Sequence, residues 1–177
     1  ELYEYLYGLI CKYDTKISVC NYYEVHEKQS KVCPDSPTRE HKFSAEEALF
    51  RLLRMLSVWH QLFHREMFDH ISFDENMSYA EDLYVSFQAF VNAGAIAYGP
   101  QPMYYYRRHE ASVTKSFKWN PKHLGYITIS DDILAYAQAH QCQELYLSLR
   151  NAQLNMLASF LRDCLLQEPA DKKSART

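Results

Sequence analysis

The apolar residues of this chain change their period within the first two dozen positions. Leu2, Leu6, Leu9, Ile10 and Tyr13 recur as one face of a helix; from Lys16 to Tyr23 the pattern alternates, with Ile17 and Val19 on one side and Ser18 and Cys20 on the other. A helical period followed at once by a period of two predicts a helix feeding a half-buried strand, which is how an α/β layer begins. The helical pattern starts at the first residues without an initiator Met, so we expect a piece of a longer protein.

Further along, Cys33 to Lys42 carries Pro34, Asp35, Ser36 and Pro37 without apolar rhythm and is expected to be a surface loop. Ser44-Ala45-Glu46-Glu47 has the spacing of a capping box, and Leu49, Phe50, Leu52, Leu53 and Leu56 supply the buried side of the helix it opens. Trp59 to Phe63 is apolar and aromatic enough for a short strand, and Arg65 to Phe68 starts a helical turn. Ser78-Tyr79-Ala80-Glu81 repeats the capping-box spacing and predicts a helix through Leu83, Phe87 and Phe90 that Gly94 ends. Ala95 to Tyr98 and Met103 to Arg107 read as two extended segments about a Gly99-Pro100-Gln101-Pro102 turn. Asn120-Pro121 opens a helix running toward His140, and Glu144 to Leu166 forms a longer one bearing Leu145, Leu149, Leu157, Phe160 and Leu161. The polar stretch from Ala170 to Thr177 is expected to be a disordered tail.

Composition removes several classes of function. With 47% apolar and 23% charged residues the chain is an ordinary globular one, yet it has only four glycines and neither GxGxxG nor GxxxxGK[ST], so it lacks loops that cradle nucleotide phosphates. A net charge of −3 without a basic stripe argues against nucleic acid as a partner. No apolar run has the length of a membrane span and no signal-peptide pattern is present, which predicts a soluble chain. Five cysteines without a CxxC suggest neither a zinc ribbon nor a disulfide framework, and point to a reducing, cytoplasmic setting. His60 and His64 stand four apart, but Gln61 occupies the place where HExxH chemistry needs glutamate, and no serine has a GxSxG setting.

Chemistry concentrates at Glu81-Asp82 and at Tyr104-Tyr105-Tyr106-Arg107-Arg108-His109. Asp82 falls in the first turn of its predicted helix, where the macrodipole favours the carboxylate and would keep it ready to take a proton; by spacing alone, acids in a first turn are usually placed for the dipole. Glu81 reads as the capping partner of Ser78. Arg107, Arg108 and His109 suit a diphosphate or its metal, or a solvated strand end. The three tyrosines suit a sugar-stacking face, or a strand that is half core and half surface.

The order of these segments resembles a known family. Ser57-Val58-Trp59-His60-Gln61-Leu62-Phe63-His64-Arg65-Glu66-Met67-Phe68, then Ile71-Ser72-Phe73, Glu81-Asp82-Leu83, Tyr104-Tyr105-Tyr106-Arg107 and Ser112-Val113-Thr114 is similar to the C-terminal half of bacterial family 2 glycosyltransferases with the GT-A fold. These are inverting, nucleotide-sugar-dependent enzymes of capsule, lipopolysaccharide and related glycan synthesis. The resemblance implies a GT-A-like, Rossmann-like mixed sheet with flanking helices over residues 1–118, a helical C-terminal extension over 119–169 and a tail over 170–177. It implies Asp82 as general base, Glu81, Tyr79 and Trp59 beside the acceptor, and Arg107 and His109 near the donor diphosphate, with His109 also a metal ligand. It further implies a divalent metal, Mg or Mn, held mainly by an Asp-x-Asp motif that this chain lacks. Asp131-Asp132 is no substitute, lying after the catalytic region. The nucleotide-binding half is missing from these residues, so the chain alone is expected to be inactive. Implied partners are a nucleotide-sugar donor and a saccharide or lipid-linked acceptor, with the inner face of the cytoplasmic membrane as a peripheral contact. The alternative reading is a non-catalytic module whose helices from Asn120 onward dock a partner or form a homodimer.

Overall fold

The computed structural model describes residues 1–26, 29–33, 36–75, 77, 79–108 and 124–166. Its elements alternate as the opening pattern predicts: α1 (Leu2–Tyr13), β1 (Ile17–His26), β2 (Gln29–Val32), β3 (His41–Ser44), α2 (Ala45–Arg51), β4 (Gln61–Phe63), α3 (Glu81–Ala93), β5 (Ala95–Arg107), α4 (Leu124–Ala139) and α5 (Gln143–Leu166), with short 3-10 turns at Leu53–Met55, Val58–His60 and Arg65–Asp69. The architecture is mixed α/β.

One sheet organises the described residues. Its order is β2-β1-β5-β3, and β4 joins the free edge of β1. β1 and β5 run parallel, from Ile17 opposite Ile96 to Val25 opposite Arg107, whereas β2, β3 and β4 pair antiparallel with their neighbours. A parallel central pair needs a long crossover, which the segment from β2 to α3 provides, and such strands are covered on both faces. Accordingly β1 is not half-buried as its alternation suggests: its first six residues are all buried. Leu6 and Leu9 of α1 press on Cys20 and Ala97 from one side. From the other, Ile17, Val19, Ile96 and Tyr98 meet Leu49 of α2, Phe90 of α3, Ile133 of α4 and Leu149 of α5 in one core. Inside this sandwich the Ser18 hydroxyl donates to the Leu6 carbonyl at 2.8 Å.

Three local expectations change. Gly99 to Pro102 is not a turn, because β5 passes through it as one strand; the register to β1 jumps from Cys20–Gly99 to Asn21–Pro102 and then to Tyr22–Tyr104, so the extra residues form a bulge. Gly99 is needed there, since a Cβ would lie inside the Tyr5 phenol and 2.7 Å from Leu9 Cδ1. The stretch from Cys33 to Lys42 is not simply surface loop either. Cys33 is buried, Ser36 accepts from the Asn21 side-chain amide at 2.7 Å, and His41 and Lys42 already pair with β5. Finally, Ser78 to Glu81 is no capping box. The helix starts at Glu81 itself, after Ala80 in a left-handed conformation (φ 62°), so Glu81 lies in the first helical position and cannot fold back as a third-position acid; Ser78 is outside the described residues.

The box at Ser44 forms as expected. Its hydroxyl accepts from Glu47 N–H at 3.2 Å and its own N–H donates to Glu47 Oε2 at 3.1 Å. Gly94 ends α3 at φ 69°, a conformation glycine adopts without a Cβ clash. Helix α4 is described from Leu124; Asn120-Pro121 and residues 170–177 lie outside the described residues. Helices α4 and α5 add Ile129, Ile133, Leu145 and Leu149 to the main core, and no described helix is long and apolar enough to cross a membrane.

Candidate functional site

Asp82 is the second residue of α3 and half-buried, and two hydrogen bonds hold its carboxylate. Its Oδ1 accepts the Leu83 N–H at 2.8 Å, the Ser57 hydroxyl donates to it, and Glu81 sits beside it. Ser57 is in turn held from beneath: the Gln61 side-chain amide donates to the Ser57 carbonyl at 3.0 Å and to the Met55 carbonyl at 3.1 Å. Gln61, which the sequence marks only as spoiling a metal motif, is thus the clamp for the loop that positions Asp82. The i, i+4 spacing of Ser57 and Gln61 about Trp59 is the sole sequence signal for it.

The electrostatics differ from the dipole argument. Burial pushes the Asp82 pKa up, and the neighbouring Glu81 charge adds to this against the lowering by the Leu83 N–H and the Ser57 hydroxyl. Burial is thus the largest influence on this acid, ahead of the hydrogen bonds at the helix terminus. A raised pKa makes the carboxylate a stronger base, which proton abstraction requires. Tyr79 is half-buried, its pKa raised by burial and by the Asp82 charge, and Tyr126 of α4 is raised by burial and by Tyr79. The three groups form an electrostatically linked row from the α3 terminus to α4.

Trp59 belongs to an aromatic cluster on the same face of the sheet. Its ring is stacked on Tyr106 at 5.1 Å with an interplanar angle of 2°, lies 4.4 Å from Tyr104, and meets the edge of Tyr22 at 4.8 Å. The Arg108 guanidinium sits 5.4 Å above the Tyr106 ring and pairs with Glu24 at 2.6 Å. Strand alternation decides the roles of the tyrosines: Tyr104 and Tyr106 face the core, whereas Tyr105 faces the opposite side and stacks on Tyr23 at 5.0 Å. Arg107 shares the side of Tyr105 and is exposed, so the cation on the Asp82 face of the sheet is Arg108. Sequence reasoning could not find Glu24, because its pairing with Arg108 arises from parallel contacts 84 residues apart.

The structure therefore brings Asp82, Glu81, Tyr79 and Trp59 to one region and turns Arg107 away from it. His109 and Ser112-Val113-Thr114 lie outside the described residues. Among the described residues no group of three or more His, Cys, Asp or Glu side chains is arranged to hold a metal ion. His60 is sealed in the core, its pKa pushed down to about 3 by burial, and His64 is on the surface beside Glu66, so the two do not converge. Asp131 accepts from the Gln153 amide at 2.8 Å, tying α4 to α5.

A cavity of about 600 Å³ opens next to this region, walled by Leu83 and Tyr126 on the Asp82 side and by Leu149, Asn151 and Asn155 of α5. It is of the size that holds a ligand of one or two sugar rings. No protein-family model matches this chain, and none of the curated proteins is significantly similar to it.

Proposed function

We propose that this chain is the acceptor side of an inverting glycosyltransferase of the GT-A type, with Asp82 as its general base and the donor nucleotide held by an α/β half outside these residues. The observation that carries the reading is the Asp82 carboxylate: half-buried, raised in pKa, held by the Ser57 hydroxyl, and followed on α3 by Leu83, which lines a cavity large enough for a saccharide. The carboxylate takes the proton of an acceptor hydroxyl while that oxygen attacks the anomeric carbon. The bond from that carbon to the diphosphate breaks, the electron pair leaves with the nucleoside diphosphate, and the anomeric centre inverts. Tyr79 and Trp59 border the acceptor, and Glu81 supplies a second charge that keeps Asp82 basic. Among the described residues nothing fits the divalent metal that such enzymes use, so no step is assigned to one.

The test is Asp82→Asn in the protein joined to its nucleotide-binding half, followed by release of nucleoside diphosphate from a nucleotide sugar in the presence of acceptor. Turnover falls by about a hundredfold or more with donor binding retained, on the usual scale of general-base loss. Turnover within a few-fold of the unaltered protein would refute the assignment.

A further inference from the structure

The cavity lined by Leu83 of α3 and by α5 has a neighbour. A second one, of about 680 Å³, shares Ser36 and Arg51 with its wall and extends along β3 past Arg39 and His41. The two halves of the resulting groove differ in chemistry. In the cavity that Leu83 lines, the α5 wall offers Ser148, Asn151 and Asn155, spaced i, i+3 and i+7 and so aligned on one helix face, with apolar Leu83 and Leu149 beside them. Neutral amides and hydroxyls over an apolar floor suit the hydroxyl and ring faces of a sugar.

The other half is cationic. Arg39 and Arg51 are exposed there, and among the described residues neither guanidinium has an acidic partner within ion-pair distance, while Arg51 lies over the Phe50 ring at 5.2 Å. Glu47, which accepts the Ser44 N–H, is the acid in this wall, and the two guanidiniums outnumber it. His41 and the hydroxyls of Ser36 and Thr38 complete the lining. Two unpaired guanidiniums flanked by hydroxyls match the oxygens of a phosphate group, which guanidinium forks bind through charge-assisted hydrogen bonds.

We infer that this groove binds a saccharide carrying a phosphate, with its sugar along α5 toward Asp82 and its phosphate between Arg39 and Arg51. The inference deepens the acceptor-side reading and rests on it: it makes the acceptor of the transfer an anionic, phosphate-bearing glycan. Arg39 and Arg51 recognise substrate far from the reacting hydroxyl, and so determine specificity without taking part in proton transfer.

The experiment is titration of the chain with glucose 6-phosphate, glucose, inorganic phosphate and phosphatidylglycerol vesicles, followed by amide shifts in nuclear magnetic resonance spectra. Glucose 6-phosphate binds at least about tenfold more tightly than glucose or phosphate alone, and shifts signals of both Arg51 and Asn155. Arg39→Gln with Arg51→Gln weakens it by about tenfold or more, and raised salt weakens it too. Asn155→Leu weakens glucose 6-phosphate while leaving inorganic phosphate unchanged. Equal affinity for inorganic phosphate, preference for the vesicles, absence of all binding, or indifference to the double arginine change would each overturn the inference. Binding is read without donor or turnover. A groove that binds while Asp82→Asn retains activity sinks the base assignment alone, and a groove that fails while Asp82→Asn loses activity sinks the groove alone.

Discussion

Replacing Trp59 with alanine asks whether the aromatic residues next to Asp82 are a displayed binding surface or part of what holds the sheet to its helices. The indole contacts Tyr22, Tyr104 and Tyr106 at centroid distances of 4.8, 4.4 and 5.1 Å, linking the 3-10 turn before β4 to both central strands. Truncating a fully buried Trp costs about 3–5 kcal/mol, and Trp59 is half-buried, so about 2–3 kcal/mol is expected. The stacked and edge-on rings are included in that figure, each worth about 0.5–1.5 kcal/mol beyond the area buried. In a domain of this size 1 kcal/mol moves the midpoint by about 2–4 °C, so melting falls by roughly 4–12 °C. Trp59→Phe keeps a ring in the stack and loses less than half as much. The assay is thermal and urea unfolding followed by far- and near-ultraviolet circular dichroism, with the urea slope unchanged. A cost below about 0.5 kcal/mol, the range of ordinary surface substitutions, would refute the reasoning.

Other consequences follow from the same geometry. Because burial raises the Asp82 pKa, the folded state holds that proton more tightly than the unfolded chain, so this group's contribution to stability declines as pH rises from the ordinary aspartate value of about 3.9 through the raised midpoint. In urea unfolding across pH, Asp82→Asn flattens that decline, and Ser57→Ala, which removes a donor to the carboxylate, extends it to higher pH. Arg108→Ala, losing the Glu24 pair and the Tyr106 ring contact, costs about 1–2 kcal/mol. Arg107→Ala stays within about 0.5 kcal/mol in the same denaturation assay. Gly99→Ala drives a methyl into the Tyr5 phenol and destabilises by about 1–3 kcal/mol, part of which Tyr5→Leu restores when the two are combined.

Much of the scaffold was legible because it is governed locally. The α1 to β1 transition, the Ser44 cap and the Gly94 stop each depend on residues within one turn or strand of themselves, and each forms where its spacing puts it. What the sequence hid was set by distant neighbours. The inner face of β1 reads as polar at Ser18, yet α1 covers it and supplies the Leu6 carbonyl as a partner. Two prolines about Gln101 look like a turn, but the parallel β1 beside them lets the strand bulge and continue.

The candidate site divides in the same way. Asp82 in a first turn could be read from spacing, whereas its raised pKa depends on burial that spacing does not report. The choice of Arg108 over Arg107 follows from the phase of β5, which a bulge three to eight residues upstream made impossible to count from sequence alone. Gln61 was missed for a different reason: a side-chain amide that clamps backbone carbonyls leaves no more than an i, i+4 spacing to the residue it holds. Arg39, just before β3, and Arg51, at the end of α2, line one cavity, a juxtaposition that their spacing does not announce.

The central claim is that α3 presents a partly desolvated carboxylate next to Leu83, a wall residue of the cavity. The most direct measurement is the pH titration of the Asp82 side-chain carboxyl by carbon-13 nuclear magnetic resonance, in the chain as it stands and in Ser57→Ala. The account predicts a midpoint above the ordinary aspartate value of about 3.9, moving further up when the Ser57 hydroxyl is removed. A midpoint at or below that value, unmoved by the substitution, would contradict it.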